Sequence, residues 1–406
     1  MEDLKNILSH KKINDKNLYK IFHCCLNDEK WSVIKHKMAS GLSDTEYCEK
    51  AIFVPLELLE LLVENAKDKS FVLGMQQSKK DFLKIALDSN RVDIAAFLVK
   101  NGVEFKESHL KRFSLHRVVA FEVSFQGMVF YEIAKKQENI KVIWDTLIQN
   151  LSFHQIYEKN DGLLIYALRN NFFNEEVLDN SFQGLPPQGG INLAALGKDG
   201  ADLLDNNTAY APLRTQRIVP FVFAMFEDKT YDVLEYALFL GLHKGRKNDK
   251  GEDFESFLQQ KIDEYIILTT KGGNSYGTIF QEDKDVLAYF KALQRFMNSL
   301  DSIKRGEVIE VDNETLKMFA RIEEIPLNQL DTSKVTSMKY LFYRSCRRDF
   351  SGIEKWNVSQ VKNLNFCFNS VYFFDVDISS WDISSVEEMH WIFSYACSLK
   401  TLPSWY

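Results

Sequence analysis

Near its end the chain writes one thirteen-residue phrase three times: LDTSKVTSMKYLF (330–342), WNVSQVKNLNFCF (356–368) and WDISSVEEMHWIF (381–393). The steps between copies are 26 and 25 residues, and six columns agree. They are Leu330/Trp356/Trp381, Asp331/Asn357/Asp382, Ser333/Ser359/Ser384, Val335/Val361/Val386, Met338/Leu364/Met389 and Phe342/Phe368/Phe393. A unit this short cannot bury its own apolar face, so its recurrence demands neighbours that stack into a shared core. Ile353, Trp356 and Val358, like Ile378, Trp381 and Ile383, end in an alternating run that predicts a short strand. The following Ser is an N-cap candidate. Ser384 with Glu387 completes a capping box. Val386, Met389 and Phe393 at i, i+3, i+7 then predict one face of a helix. Each unit therefore reads as strand, cap and helix.

These residues resemble the BspA-like leucine-rich repeats, the type of the mycoplasma surface lipoproteins, in the Trp-Asp-Val-Ser run that ends in Phe. Cys346 and Cys397 stand four residues after Phe342 and Phe393, where the family has a cysteine-containing turn; Tyr372 takes that place in the second copy. The stretch 308–330 resembles the helix that caps such arrays, with Asp312 or Asn313 as its cap and Leu316, Phe319 and Ile322 facing in. The resemblance implies a strand–helix solenoid over 307–406 and, for many members, an exported or adhesive role. LKTLPSWY (399–406) matches the start of a further copy, with Leu402 and Trp405 in the places of Ile378 and Trp381. Trp405 and Tyr406 then either pack as a cap or form an edge for docking and self-association.

Residues 1–300 read as helical. Leu18, Ile21, Phe22 and Cys25 predict one buried stripe, and AIFVPLELLELLVENAKDK predicts a second amphipathic helix with Pro55 near its start. Two stretches, 81–105 and 220–254, share a plan: a small Ala (Ala86, Ala224), a polar turn, a second apolar helix and a closing Gly (Gly102, Gly241). Asp249 and Gly251 would begin a hairpin turn, and 162–178, with Ala167, reads as a partial third copy. This resembles degenerate ankyrin repeats; an irregular helical domain is the other reading. Residues 183–219 are rich in Gly and Pro and predict a long loop, with a further finger at 199–213, and HKGRKNDKGED (243–253) predicts a solvated turn.

Chemistry is harder to find. A net charge of −7 argues against a nucleic-acid partner. The N-terminus lacks a secretory pattern and no run suits a membrane span, which predicts a cytoplasmic chain with free thiols, a non-Sec export route staying open. KGGNSYG (271–277) lacks the order a phosphate loop needs. His23, Cys24, Cys25, His36 and Cys48 invite a metal, and the Asp331/Asn357/Asp382 column invites calcium; packing and turn bonding explain both sets as well. Tyr343, Arg344, Arg347 and Arg348 lie together before Phe350 and suit stacking on a base or gripping an acidic peptide. With Trp405 and Tyr406 they are the candidate partner-binding residues.

The sequence thus predicts an α+β chain: a mostly helical ankyrin-like solenoid over 1–300, then a small leucine-rich-repeat solenoid over 307–406. The function expected is a non-catalytic protein–protein interaction scaffold with a protein partner and no cofactor or metal. The alternative is a secreted bacterial effector or adhesin with an enzymatic site in 105–215.

Overall fold

The computed structural model describes residues 13–27, 32–37, 46–51, 54–75, 81–89, 91–110, 137–150, 156, 161–173, 178–179, 181–182, 218–270, 281–345, 347–396 and 398–406. Among the described residues the chain is mostly helical, with 13 α-helices beside three two-stranded sheets. It divides into two compact units, one holding the described residues up to Phe172 and the other those from Phe173 to Tyr406.

The first unit opens with α1 (Asp15–Asn27) and an antiparallel hairpin, β1 (Ser32–Lys37) with β2 (Glu46–Ala51). The hairpin is a strand pair that the mostly helical reading of 1–300 did not place. Its first strand, SVIKHK, carries adjacent β-branched residues, which fit a pleated ladder better than a helix. Helices α2 (Leu56–Glu64), α3 (Lys69–Val72), α4 (Phe82–Asp88), α5 (Val92–Lys100), α6 (Glu107–Leu110), α7 (Gln137–Asn150) and α8 (Asp161–Arg169) follow. On α1 the buried stripe is Leu18, Phe22 and Leu26, at i, i+4, i+8. Ile21 is 39 % exposed and Cys25 only half-buried, so the stripe is rotated from the expected one.

The expected pair at 81–105 is present as α4 and α5. Asp81 caps α4 by accepting the Lys84 N–H at 2.9 Å. Gly102 follows α5 with φ of 89°, a conformation that strains any Cβ. Arg91, between the helices, is buried; it holds Asp93 through two bonds of 2.9 and 2.7 Å and donates to the Val54 carbonyl at 2.7 Å. His109 lies 2.7 Å from Asp81 Oδ2 through Nε2 and accepts the Lys106 N–H at Nδ1. Both ring nitrogens are occupied, so this His–Asp pair braces a turn and has no lone pair left for a base.

The second unit begins with β3 (Ser181–Phe182) antiparallel to β4 (Ile218–Val219). The expected pair at 220–254 appears as α9 (Phe221–Glu227) and α10 (Tyr231–Leu240), closed by Gly241 at φ of 81°. Asn248 and Glu252 close the predicted turn around Gly251. Helices α11 (Phe254–Thr270) and α12 (Gln281–Lys304) follow, and Phe223, Phe226, Phe254, Phe257 and Phe290 interlock edge-on or tilted across the layer. Strand β5 (Ile309–Glu310) pairs parallel with β6 (Leu330–Asp331). Between them α13 (Asn313–Arg321) starts on a capping box of Asp312 and Thr315 and buries Leu316 and Phe319, with Ile322 just beyond its end, as expected.

The segments after Ser333, Ser359 and Ser384 are not helices, which corrects the strand–cap–helix reading. Met338, Tyr340, Phe342 and Arg344 send their amides across to the carbonyls of Asn363, Asn365, Cys367 and Asn369. Leu364, Phe366, Phe368 and Ser370 do the same to Glu388, His390, Ile392 and Ser394. Intervening amides close tight turns inside one coil: Leu341 on Met338, Tyr343 on Tyr340, Ser345 on Phe342. An α-helix would need each N–H to reach the carbonyl four residues back; here half cross to the next coil and the others reach only three residues back. Closure every three residues still puts i and i+3 on one side. Val335, Met338 and Phe342 are therefore all buried, and the helical spacing had a different cause.

Candidate functional site

The three coils are built in columns. In the first, Asp331, Asn357 and Asp382 accept the backbone N–H of Ser333, Ser359 and Ser384 at 3.0–3.1 Å. These are turn-forming bonds, and the bond to Ser384 holds the Asp382 carboxyl below its usual range. Each side chain of the column thus gives one oxygen to a backbone turn. In the interior, Phe342, Phe368 and Phe393 stack at 5.6 and 5.7 Å with interplanar angles of 13° and 12°. Trp356, Trp381 and Trp405 each donate an indole N–H to a carbonyl about one coil upstream: Leu327 at 2.8 Å, Ile353 at 3.0 Å and Ile378 at 2.8 Å. Cys367 is buried among them, and burial pushes its thiol well up, away from the reactive thiolate.

Two further columns lie in the left-handed backbone region. Tyr340, Phe366 and Trp391 have φ of 59°, 57° and 57°; Arg344, Ser370 and Tyr395 have 56°, 59° and 61°. Such a conformation costs a non-glycine residue roughly 1 kcal/mol or more. The amides crossing between coils hold it in place. The ends of the first of these columns are also exposed: Tyr340 is 48 % and Trp391 65 % accessible, while Phe366 between them is half-buried and stacks on Tyr340 at 4.9 Å and 12°. Tyr343 and Tyr395 are exposed beside it, Lys339 Nζ lies 5.5 Å from the Tyr340 ring, and the Arg344 guanidinium lies 5.1 Å from the Tyr343 ring. The result is a face of Tyr, Trp and Arg, the side chains that dominate binding energy at protein interfaces.

Of the predicted residues, Tyr343 and Arg344 belong to this face. Arg348 stacks over Phe373 at 5.0 Å, and its backbone N–H donates to Glu323. Arg347 is corrected: it is 4 % exposed and turned inward. Its guanidinium donates to the carbonyls of Asp349, Ala320, Ile322 and Ile325, so it ties α13 to the first coil instead of meeting a partner. Trp405 is half-buried and Tyr406 exposed; both pack against Phe393, Tyr406 edge-on at 5.5 Å, as the packing alternative expects. The column Tyr340/Phe366/Trp391 was missed. Its signal was aromaticity in all three copies, hidden because the position falls off the predicted helix face.

Elsewhere in this unit, Glu235 of α10 is 1 % exposed. Tyr289 of α12 donates to it at 3.2 Å, and Arg321 of α13 sits 3.3 Å away. Burial pushes its carboxyl up to about 7 against the pull of Arg321. His243 is buried rather than solvated, its Nε2 3.3 Å from Glu255, and burial lowers its pKa. A cleft of about 400 Å³ lies against Arg295, Glu310, Asp312 and Lys334, whose charges already pair at 2.6 and 2.8 Å. Among the described residues no group of three His, Cys, Asp or Glu side chains is placed to hold a metal, and no helix is long and apolar enough to cross a membrane. Cys24 is exposed; His23 packs on Tyr19 and Phe82. Most of 105–215, nearly all of the 183–219 loop with the 199–213 finger, KGGNSYG (271–277), Cys346 and Cys397 lie outside the described residues.

No curated protein and no solved structure matches the chain. Residues 313–406, from the first residue of α13 through the three coils, are similar to the family described as "Mycoplasma protein of unknown function, DUF285".

Proposed function

We propose that the chain is a non-catalytic protein–protein interaction scaffold, made of an ankyrin-like helical array and a short leucine-rich-repeat solenoid. The observation that carries this reading is the aromatic column of exposed Tyr340 and Trp391 with half-buried Phe366 between them, held in the left-handed region by the backbone ladder beneath it. The ladder supports a solenoid, because every second amide along a coil is satisfied only through the next one. The helix pairs α4–α5 and α9–α10, each closed by a left-handed Gly, support the ankyrin-like reading. The partner is protein, since rigid aromatic rings beside Arg favour flat, partly apolar surfaces.

Affinity capture from native lysate tests it, comparing the full chain with the same chain carrying Tyr340→Ala and Trp391→Ala. Proteins retained by the first should be absent with the second, while both give the same circular dichroism spectrum. Equal retention by both removes the face from the reading.

A further inference from the structure

The charges around the aromatic column are not evenly spread. Equivalent positions run Lys339, Asn365, His390 in one column and Ser337, Asn363, Glu388 in another. A third reads Thr336, Lys362, Glu387, and a fourth Arg344, Ser370, Tyr395. The first coil therefore carries the cations Lys339 and Arg344. Each lies over a ring, and neither pairs with a carboxylate among the described residues. The third coil carries Glu387 and Glu388. Glu387 pairs with Lys362 at 3.1 Å, both groups exposed. Glu388 accepts the side-chain amides of Asn363 and Asn365 at 2.6 Å each and meets no cation among the described residues. The second coil between them presents Asn363 and Ser370, with Asn365 buried beneath.

We propose that the occupant of this face is a second copy of the chain, docked about a two-fold axis over the second coil. The proposal rests on the interaction-scaffold reading and names its partner. A two-fold interface sets each surface against itself reversed. The Lys339 and Arg344 end of one copy then meets the Glu387 and Glu388 end of the other, twice. Tyr340 of each copy then meets Trp391 of the other and Phe366 meets Phe366 across the axis, in the centre, where hot spots gather. A uniformly acidic peptide would satisfy the first coil and be repelled by the third, and a basic peptide the reverse. A partner needs both signs in opposite order, and this chain supplies that surface. Its net charge of −7 opposes association only weakly, because charges beyond about 8 Å are screened at physiological salt.

Sedimentation velocity of the full chain over a range of concentrations tests this, with three variants and one mixture. The wild-type chain should self-associate. Trp391→Ala should weaken the dimer by at least about 30-fold, the size of a hot-spot loss. Lys339→Glu with Arg344→Glu, and separately Glu387→Lys with Glu388→Lys, should each weaken it at least about 10-fold by setting like charges opposite one another. An equimolar mixture of these two charge variants should dimerise as the wild type does, since each end then faces its opposite. A wild-type chain that stays monomeric throughout overturns the proposal, as does a mixture that fails to associate. If the chain is monomeric while affinity capture still depends on Tyr340 and Trp391, self-association falls and the scaffold reading stands. If capture is independent of them too, both fall.

Discussion

Arg347 shows how much one side chain can decide at the residue scale. Its planar guanidinium answers four carbonyls from two directions, a geometry that an ammonium cannot copy. Arg347→Met should lower unfolding free energy by about 3 kcal/mol, because it strands buried acceptors, and Arg347→Lys should recover less than half of that in a denaturant titration. Glu235 makes a second prediction. Its folded carboxyl sits at about 7, above the ordinary value of 4.5, so the folded state holds a proton that the unfolded chain releases. Stability contributed by that proton is present at low pH and is lost as pH climbs from 4.5 through 7. Glu235→Gln keeps the neutral form at every pH. The variant should therefore melt higher than wild type at pH 8 and lose that advantage at pH 5, with thermal scans at the two values as the check.

At the scale of elements, the αL column couples stability to exposure. Asn tolerates positive φ far better than Trp. Trp391→Asn should leave the fold as stable or more stable, by up to about 1 kcal/mol in a denaturant titration, while removing the exposed indole. Trp381→Phe should do the opposite: it keeps the ring stack and strands the Ile353 carbonyl, at a cost of roughly 1–3 kcal/mol by the same measurement. The two tryptophans sit ten residues apart and differ in every consequence, which composition could not reveal. Sequence periodicity located the coils, the α13 cap and the α4–α5 and α9–α10 pairs, because burial at fixed spacing leaves a pattern. It misassigned the conformation inside the coils, since turns closing every three residues leave the same i, i+3, i+7 pattern as a helix. It also assigned Arg347 to the surface, because a charge that satisfies carbonyls leaves no local spacing to read. Tyr343 and Arg344 were legible by composition alone; Tyr340, Phe366 and Trp391 needed the backbone.

For the whole molecule, the two compact units predict two separable unfolding events in calorimetry. Arg347→Met should lower the transition of the unit that carries the coils and leave the other in place; a single transition moving as one would count against separability. The stacked coils add a constraint of another kind. From Val to Phe the phrase is fixed, at Val335 to Phe342, Val361 to Phe368 and Val386 to Phe393. The connections between phrases are not: fourteen residues lead from Phe342 to Trp356, thirteen from Phe368 to Trp381 and twelve from Phe393 to Trp405. Amides that alternate between two destinations impose a reading frame of two on the backbone. Deleting one residue inside 338–344 exchanges crossing amides for turn-closing ones along the rest of the rung, whereas the connectors already differ in length from coil to coil while still burying residues such as Phe374 and Ile378. Such an array can lengthen by whole coils and vary in length at its bends, yet it cannot slip by a single residue along its rungs.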